Sequence, residues 1–154
     1  MNTIDYFKLQ SKNLHKDFKT KQPVVDKTTT VFKYEYFPKY FDVEMVIADF
    51  DIDEDNFSLM NAQHVIAKIA NFDKWTSLLK ASPEELKLAM LLFEHQNRID
   101  LIGWQFYVAK AQSLNEYELD AEIQVEIFKQ MVIEERIFDD QEIESYLLKH
   151  NYLD

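Results

Sequence analysis

Residues 81–99, ASPEELKLAMLLFEHQNRI, contain the clearest helix start in the chain and decide its fold class. Ser82 is followed three residues later by a glutamate, and this spacing is the capping box of a helix N-terminus. Pro83 adds to the pattern, because a proline at the first helical position lacks only an N–H that has no helical partner anyway. Apolar residues then recur at helical spacing, which predicts a long helix over 83–96.

The chain on either side of this helix has the same periodicity. Residues 59–72, LMNAQHVIAKIANF, place four apolar residues on one face: Ala62, Val65, Ile66 and Ile69. Aspartates stand where caps of further helices are expected, namely Asp100, Asp120, and Asp139 or Asp140 before QEIESYLLKHNYL. We predict a mainly α protein, a single domain over residues 1–154 that forms a bundle of five or six helices. Its longest helices are predicted over 83–96 and 121–137.

A first helix is predicted from a narrow apolar stripe near the amino terminus. Steps of three and four residues connect the members of the stripe, which are Ile4, Phe7, Ser11, Leu14 and Phe18. A neighbouring stripe consists of lysines: Lys8, Lys12, Lys16 and Lys19. The simpler interpretation is a solvated flank whose lysine stems cover the apolar edge. The alternative is a surface for an acidic partner.

Residues 21–37 interrupt the helical pattern. A proline and a run of threonines disfavour a helix, whereas VFKYEYF alternates and places three aromatic residues on one side: Phe32, Tyr34 and Tyr36. The alternation predicts a short strand over 31–37, which needs a partner strand to be stable. Pro38 or Asp42 is a candidate start for a short helix. The sequence leaves strand or helix open across 24–48.

Composition limits the class of protein. The chain has 154 residues, of which 47% are apolar, and this suffices for a packed core without cross-links. A single glycine and three prolines disfavour hairpin-rich and phosphate-cradling folds. The lack of cysteine excludes disulfide scaffolds and cysteine-ligated zinc or iron sites. Without a long apolar run we expect no secretory signal and no membrane span, and hence a cytoplasmic protein.

Charge is distributed unevenly along the chain, whose formal net charge is −11. Residues 1–40 contain eight lysines against four acidic residues, whereas residues 41–154 contain nine basic against 24 acidic residues. An acid excess of this size disfavours nucleic-acid binding, because phosphate contacts need clustered lysine or arginine. A solubilising acidic surface is one interpretation of the excess. Steering toward a basic protein partner is the other.

The most acidic stretch, DFDIDED over residues 49–55, has four aspartates at the alternate spacing of EF-hand calcium ligands. An EF-hand loop also needs glycine at its sixth position and glutamate at its twelfth. Those positions hold Glu54 and Met60. We therefore predict no metal ligand and no cofactor, and we expect the carboxylates to favour the start of the helix that follows. The same stretch is predicted to bind a partner protein through Asp49, Asp51, Asp53, Glu54 and Asp55.

Two segments of the chain resemble a short helical module of bacterial proteins. YFKLQSKNLHKDFK and FSLMNAQHVIAKIANFDKWTSLLKA carry the resemblance, which covers residues 4–21 and 57–81. This module is found ahead of ankyrin repeats or beside glyoxalase-like domains. Its signature falls here on Leu59, Ala62, Gln63, Ile66, Ala67, Phe72, Trp75 and Leu78. The whole chain also resembles an uncharacterised protein family of Bacteroidetes-type bacteria.

Neither resemblance implies a catalytic residue. Where the module has glycine this chain has Asn71, which also tolerates the left-handed end of a helix. The signature implies packing, with Phe72 and Trp75 closing the end of one helix onto the next. We therefore expect Trp75 to be largely buried between residues 59–70 and the helix that begins near Pro83.

No catalytic motif is present in the sequence. With Gly103 as its single glycine, the chain has no P-loop, nucleophile elbow or dinucleotide fingerprint. No two of the four histidines have the i, i+4 spacing of a helical metal pair. We assign no catalytic residue and expect a non-catalytic acidic protein-interaction module for a basic protein partner, with a toxin-neutralising or immunity-type role as one form. The alternatives are a weak divalent-metal-binding regulatory protein and a hydrolase with an unrecognised site.

Overall fold

Helices dominate the computed structural model of the protein, which describes residues 2–139 and 143–148. The described helices are α1 (Thr3–Phe18), α2 (Val43–Phe50), α3 (Leu59–Ile69), α4 (Trp75–Lys80), α5 (Pro83–Glu94), α6 (Leu101–Asn115) and α7 (Ala121–Phe128). Two short strands, β1 (Gln22–Val25) and β2 (Phe32–Glu35), lie between α1 and α2. A 3-10 turn (Glu54–Asn56) precedes α3, and a π-helical turn (Lys129–Glu134) follows α7. The mainly α fold class is therefore confirmed, and the short α2 and α4 take the described helices to seven rather than five or six.

Polar caps start the helices where the sequence predicts them. The Ser82 hydroxyl accepts a hydrogen bond from the Glu85 amide at 3.1 Å, and Pro83 is the first residue of α5. Asp100 and Asp120 accept hydrogen bonds from amides in the first turns of α6 and α7. Each cap satisfies a backbone N–H that has no partner within its own helix.

The end of α3 has the geometry predicted for it. Asn71 has a φ of 72°, in the left-handed region. Its amide donates to the carbonyl of Lys68 at 3.0 Å, and the amide of Phe72 donates to the carbonyl of Ala67 at 2.8 Å. These two bonds form a Schellman motif, in which asparagine here replaces the usual glycine.

The predicted stripe of α1 is its buried face. Phe7, Ser11, Leu14 and Phe18 are buried, and Ile4 packs against the same core. The four lysines of the neighbouring stripe are exposed, as a solvated flank requires. Helix α1 packs mainly along α3, and the two helices form the centre of the core.

The strand predicted over residues 31–37 is present as β2, and its partner is β1. The two strands pair antiparallel, with Val24 opposite Lys33. The short helix predicted after the strand is α2. It starts after Asp42, whose side chain accepts a hydrogen bond from the Met45 amide at 3.2 Å.

Helix α5 lies between two apolar clusters and contributes to both. Leu86, Ala89 and Phe93 face the larger cluster, to which α1 to α4 also contribute. Leu88, Leu91 and Leu92 pack against the smaller cluster, whose buried members are Ile99, Trp104, Phe128 and Val132. The Phe93 ring meets the rings of Tyr6, Phe7 and Phe41 edge-on, which is a favoured arrangement of aromatic pairs.

A buried carboxylate attaches the segment before α2 to the end of α1. Asp17 is 1% exposed. Its two oxygens accept hydrogen bonds from three consecutive backbone amides, those of Lys39 at 2.9 Å, Tyr40 at 2.9 Å and Phe41 at 2.7 Å. Hydrogen bonds to a charged acceptor are stronger than neutral ones. Asp17 therefore holds the chain in the position that buries Phe41 completely.

The prediction of a helix over QEIESYLLKHNYL is wrong for the part of that segment that the structure describes. Residues 143–148 are not helical, and Leu147 lies opposite Phe41 in an antiparallel bridge flanked by backbone hydrogen bonds of 2.8 and 2.9 Å. These bonds satisfy backbone groups of residues 40–42, which lie outside any helix or strand ladder of their own. The rest of that prediction, in 140–142 and 149–153, falls outside the described residues.

Two further predictions need correction. The longest described helices are α1, with 16 residues, and α6, with 15, because α5 ends at Glu94 and the backbone widens into a π-helical turn after Phe128. Trp75 is only partly buried at the start of α4, whereas Trp104 is 2% exposed. Among these described helices, none is both long and apolar enough to cross a membrane.

Candidate functional site

The acidic stretch predicted to bind a partner is exposed, and two of its carboxylates accept hydrogen bonds from distant segments of the chain. Asp49 accepts a hydrogen bond from the Tyr146 hydroxyl at 2.7 Å, which ties the described carboxyl-terminal segment to α2. Glu54 accepts one from the Tyr36 hydroxyl at 2.7 Å and lies 3.7 Å from the ammonium of Lys21. Burial, followed by these bonds to carboxylates, raises the pKa of both phenols, so both tyrosines keep the proton that they donate.

The remaining carboxylates of the stretch shape the backbone near α3. Asp51 ends α2 with a left-handed φ of 52°. Asp53 accepts hydrogen bonds from the Asp55 amide at 3.2 Å and from the Asn56 side chain at 3.0 Å, and so caps the 3-10 turn. The cap of α3 itself is Ser58, which pairs with Asn61 in a capping box. Asp55 is exposed.

A recess of about 310 Å³ lies between the acidic stretch and α3. Its lining combines apolar side chains with carboxylates, amides, an imidazole and an ammonium group. The polar lining residues are Asp51, Asp53, Asn56, Asn61, His64 and Lys68. Lys68 offsets part of the negative charge here. Across residues 2–139 and 143–148, no group of three or more histidine, aspartate or glutamate side chains is placed to hold a metal ion.

The histidine and glutamate with shifted pKa values near the end of α5 are packing residues. Burial raises the pKa of Glu94. Burial, together with the charge of Arg98, lowers the pKa of His95, and Asp139 acts in the opposite direction. The His95 ring lies 5.7 Å from the ring of Phe128. Burial against an aromatic ring favours the uncharged form of the imidazole.

Helix α6 presents an apolar face that the sequence analysis missed. Ile102 is 77% exposed, Phe106 is 74% exposed and Leu114 is 74% exposed. At about 100° per residue these three side chains lie within roughly a third of the helix circumference, and the exposed Lys110 lies between Phe106 and Leu114 on the same side. Of the fifteen residues of α6, Trp104 is the one that is buried. We call Ile102, Phe106 and Leu114 the α6 face.

Acidic residues surround the α6 face in the sequence. Residues 99–128 contain six acidic residues and one basic residue, Lys110. Four of the six follow α6 at alternate positions and are exposed: Glu116, Glu118, Asp120 and Glu122. Large apolar patches rimmed by polar residues mark interaction sites on soluble proteins.

The opposite side of α6 is loosely packed. A groove of about 460 Å³ lies between α5, α6 and the start of α7, and its apolar lining includes Leu88, Leu92, Trp104 and Val108. The sequence contained a sign of this arrangement, because apolar residues occur on every side of α6. A helix with this pattern has more apolar surface than one neighbouring helix can cover.

The residues that resemble the signature of the bacterial module lie mainly in the larger cluster. Ala62, Ile66, Ala67 and Leu78 are buried, and Phe72 and Trp75 pack beside them. Comparison with known proteins gave no match to this chain among family models, curated proteins or solved structures. The bacterial module and the Bacteroidetes-type family therefore stay predictions.

Proposed function

We propose that the chain is a non-catalytic interaction module whose α6 face docks a basic, amphipathic segment of a partner protein. The exposure of Ile102, Phe106 and Leu114 on one side of a helix carries this proposal. Three large apolar side chains in water on one helix face are costly unless a partner covers them.

The negative charge of the segment that contains the α6 face indicates a basic partner. Residues 99–128 have a formal charge of −5, from six acidic residues and one lysine. A segment with leucine-like residues on one face and lysine or arginine on the others matches a mainly apolar face that is flanked along the chain by acidic residues. Neutralisation of a basic toxin, as in an immunity protein, is one role of this kind.

The acidic stretch has a separate part in the proposal. Asp51, Asp53 and Asp55 add negative charge at the surface, and this charge attracts a basic protein over a distance comparable to the Debye length. The two acidic regions thus act at different stages. The stretch raises the rate of encounter, and the α6 face holds the partner.

Truncation of Phe106 tests the docking face. The probe is a synthetic amphipathic helix of leucine and lysine, titrated by calorimetry and followed by amide chemical shifts. We expect Phe106→Ala to weaken binding by roughly tenfold or more, as for a central apolar contact of an interface. Met60→Ala is the matched control, because Met60 is 76% exposed on α3 and is not part of the α6 face.

The same titration discriminates against non-specific attraction. A second probe replaces every lysine with glutamate and keeps the leucine face, and we expect it not to bind. Equal binding of the two probes, equal losses in the two alanine variants, or shifts confined to residues outside α6 would each contradict the docking proposal.

Neutralisation of the acidic stretch tests steering. The triple variant Asp51→Asn, Asp53→Asn and Asp55→Asn keeps the fold, because asparagine both caps turns and tolerates left-handed backbone. We expect the association rate with the basic probe to fall severalfold at low salt. The difference from the unmodified chain should vanish as salt rises, while the dissociation rate stays unchanged. Stopped-flow fluorescence measures both rates.

The metal alternative is tested with the same variant. Calcium binding at micromolar concentration that is lost in the triple variant would assign the stretch to a metal site and would remove it from the proposed steering role. An unchanged association rate at low salt would also contradict steering, but it would leave the α6 proposal standing.

A further inference from the structure

The hairpin of β1 and β2 has an apolar face in solvent. The pairing register places Pro23 opposite Tyr34 and Val25 opposite Phe32, so these four side chains share one face. Phe32 is 68% exposed and Tyr34 is 67% exposed. An isolated two-stranded hairpin is at best marginally stable in water, and further strands or packing are needed to stabilise it.

The hydrogen-bonding pattern shows which backbone groups face outward. The Asp26 amide donates to the Val31 carbonyl at 3.1 Å, so residues 26 and 31 form a hydrogen-bonded pair. Such pairs alternate along an antiparallel ladder. The amides and carbonyls of Phe32 and Tyr34 therefore point away from β1. Within residues 2–139 and 143–148 the sheet has two strands, so the described chain places no third strand along this edge.

The other edge of the hairpin is protected. Pro23 occupies an outward-facing position of β1, and proline has no N–H to donate to an added strand. Proline on an edge strand is a common means of preventing edge-to-edge pairing. Strand β2 has no such protection, so the hairpin has one edge that accepts another strand.

We propose that the occupant of this edge is β2 of a second copy of the chain, paired antiparallel about a two-fold axis at Tyr34. This register places Lys33 of each copy opposite Glu35 of the other. Opposite charges across strands stabilise a sheet, whereas like charges directly opposite destabilise it. The strand is thus complementary to itself in charge.

Charge also rejects the neighbouring registers. A shift that keeps the outward-facing groups paired must change the residue on the axis by one, to Lys33 or to Glu35. The first places Lys33 against Lys33 of the second copy, and the second places Glu35 against Glu35. The register centred on Tyr34 avoids both and sets Phe32 across from Tyr36, an aromatic pair.

The assembly closes as a dimer. Pairing through the same strand of both copies is isologous and uses up the open edge of each. The outer edges of the resulting four-stranded sheet are the two β1 strands, each of which carries Pro23. Growth into fibres is therefore blocked. The strands are short, so the interface is at the small end of specific interfaces and the dimer is weak.

Charge exchange is the decisive experiment, measured by sedimentation velocity from micromolar to millimolar protein. We expect the unmodified chain to form a dimer with rising concentration. Lys33→Glu and Glu35→Lys each replace two attractive pairs with two repulsive ones, and each should weaken the dimer by roughly tenfold or more. An equimolar mixture of the two variants should restore it, because every cross-strand pair is again of opposite charge.

Restoration in the mixture separates the pairing from damage within one hairpin. Lys33 also lies 3.8 Å from Asp26 of its own chain. Lys33→Glu alone therefore disturbs this internal ion pair as well as the pairing with the second copy. Mixing two weakened hairpins cannot repair that internal contact. The double variant Lys33→Glu, Glu35→Lys should likewise dimerise as the unmodified chain does.

A backbone variant tests the edge itself. Tyr34→Pro removes an outward-facing N–H and keeps the ladder to β1, so the dimer should be lost while the thermal midpoint at low concentration is retained. Tyr34→Thr, which also lacks the ring but keeps the N–H, should retain more of the dimer. A chain that is monomeric at every concentration overturns the proposal. The proposal is also overturned if the charge variants leave the dimer unchanged, if Phe106→Ala abolishes the dimer, or if the chain assembles beyond a dimer.

Discussion

Replacement of Asp17 by alanine is expected to lower the free energy of unfolding by roughly 3 kcal/mol or more. The carboxylate is 1% exposed and accepts the amides of Lys39, Tyr40 and Phe41 at 2.7 to 2.9 Å. Without it one buried hydrogen bond, to the Phe41 amide, and two partly buried ones, to the Lys39 and Tyr40 amides, are lost. A buried donor that is left unsatisfied costs about 1–3 kcal/mol. Urea denaturation measures the loss as a shift of the midpoint, with an unchanged slope if the unfolded state is unaffected.

Two variants calibrate this expectation. Asp5→Ala removes a carboxylate from the same helix, but Asp5 is exposed, so we expect a loss below about 1 kcal/mol. Asp17→Asn keeps one acceptor oxygen and should lie between the two. Amide exchange should accelerate at residues 39–41 before it does in the rest of the core. Equal midpoints for Asp17→Ala and Asp5→Ala would show that the buried carboxylate contributes little.

The helix starts were predictable because they depend on residues close together in sequence. Ser82, Asp100 and Asp120 each cap the amide three positions further on, and Asn71 ends α3 within its own turn. The stripe of α1 was predictable for the same reason, since one helix face is set by spacing alone.

The role of Asp17 was not predictable in this way. Its partners are more than twenty residues distant, and an aspartate beside an apolar stripe looks the same whether it faces water or a loop. The helix predicted for the carboxyl-terminal segment was wrong for a related reason. Its helical periodicity was overruled by pairing of Leu147 with Phe41, a contact across more than one hundred residues.

Of the candidate site, the sequence predicted only the acidic charge. The acidic stretch is exposed, as expected, but Asp49 and Glu54 are partly committed to Tyr146 and Tyr36 from distant segments. The α6 face was missed because an apolar residue in a helix is ordinarily assigned to the core. Only packing decides which of two apolar sides is covered, and in α6 the covered side is the one that contains Trp104.

Replacement of Trp104 by alanine is the second large effect that we expect, at about 3–5 kcal/mol of lost stability, the usual range for truncation of a buried aromatic residue. The ring is 2% exposed, meets the ring of Phe128 edge-on at 5.1 Å and stacks on Tyr107 at 5.6 Å. Its Nε1 donates to the Gln124 side chain at 3.1 Å. The truncation therefore removes apolar contacts and leaves an amide oxygen without its donor.

Trp75→Ala is the matched control for this prediction. Trp75 is the other tryptophan of the chain, but it is only partly buried, so its truncation should cost distinctly less. Trp104→Ala should also release α6, because Trp104 is the buried contact of that helix, and amide exchange should then rise along residues 101–115. Binding of the basic helical probe should fall with it, since the α6 face keeps its shape only while α6 is anchored. Two results would contradict this prediction: a denaturation midpoint lowered as much by Trp75→Ala as by Trp104→Ala, or amides of α6 that stay protected from exchange in Trp104→Ala. Either result would show that Trp104 does not anchor the α6 face.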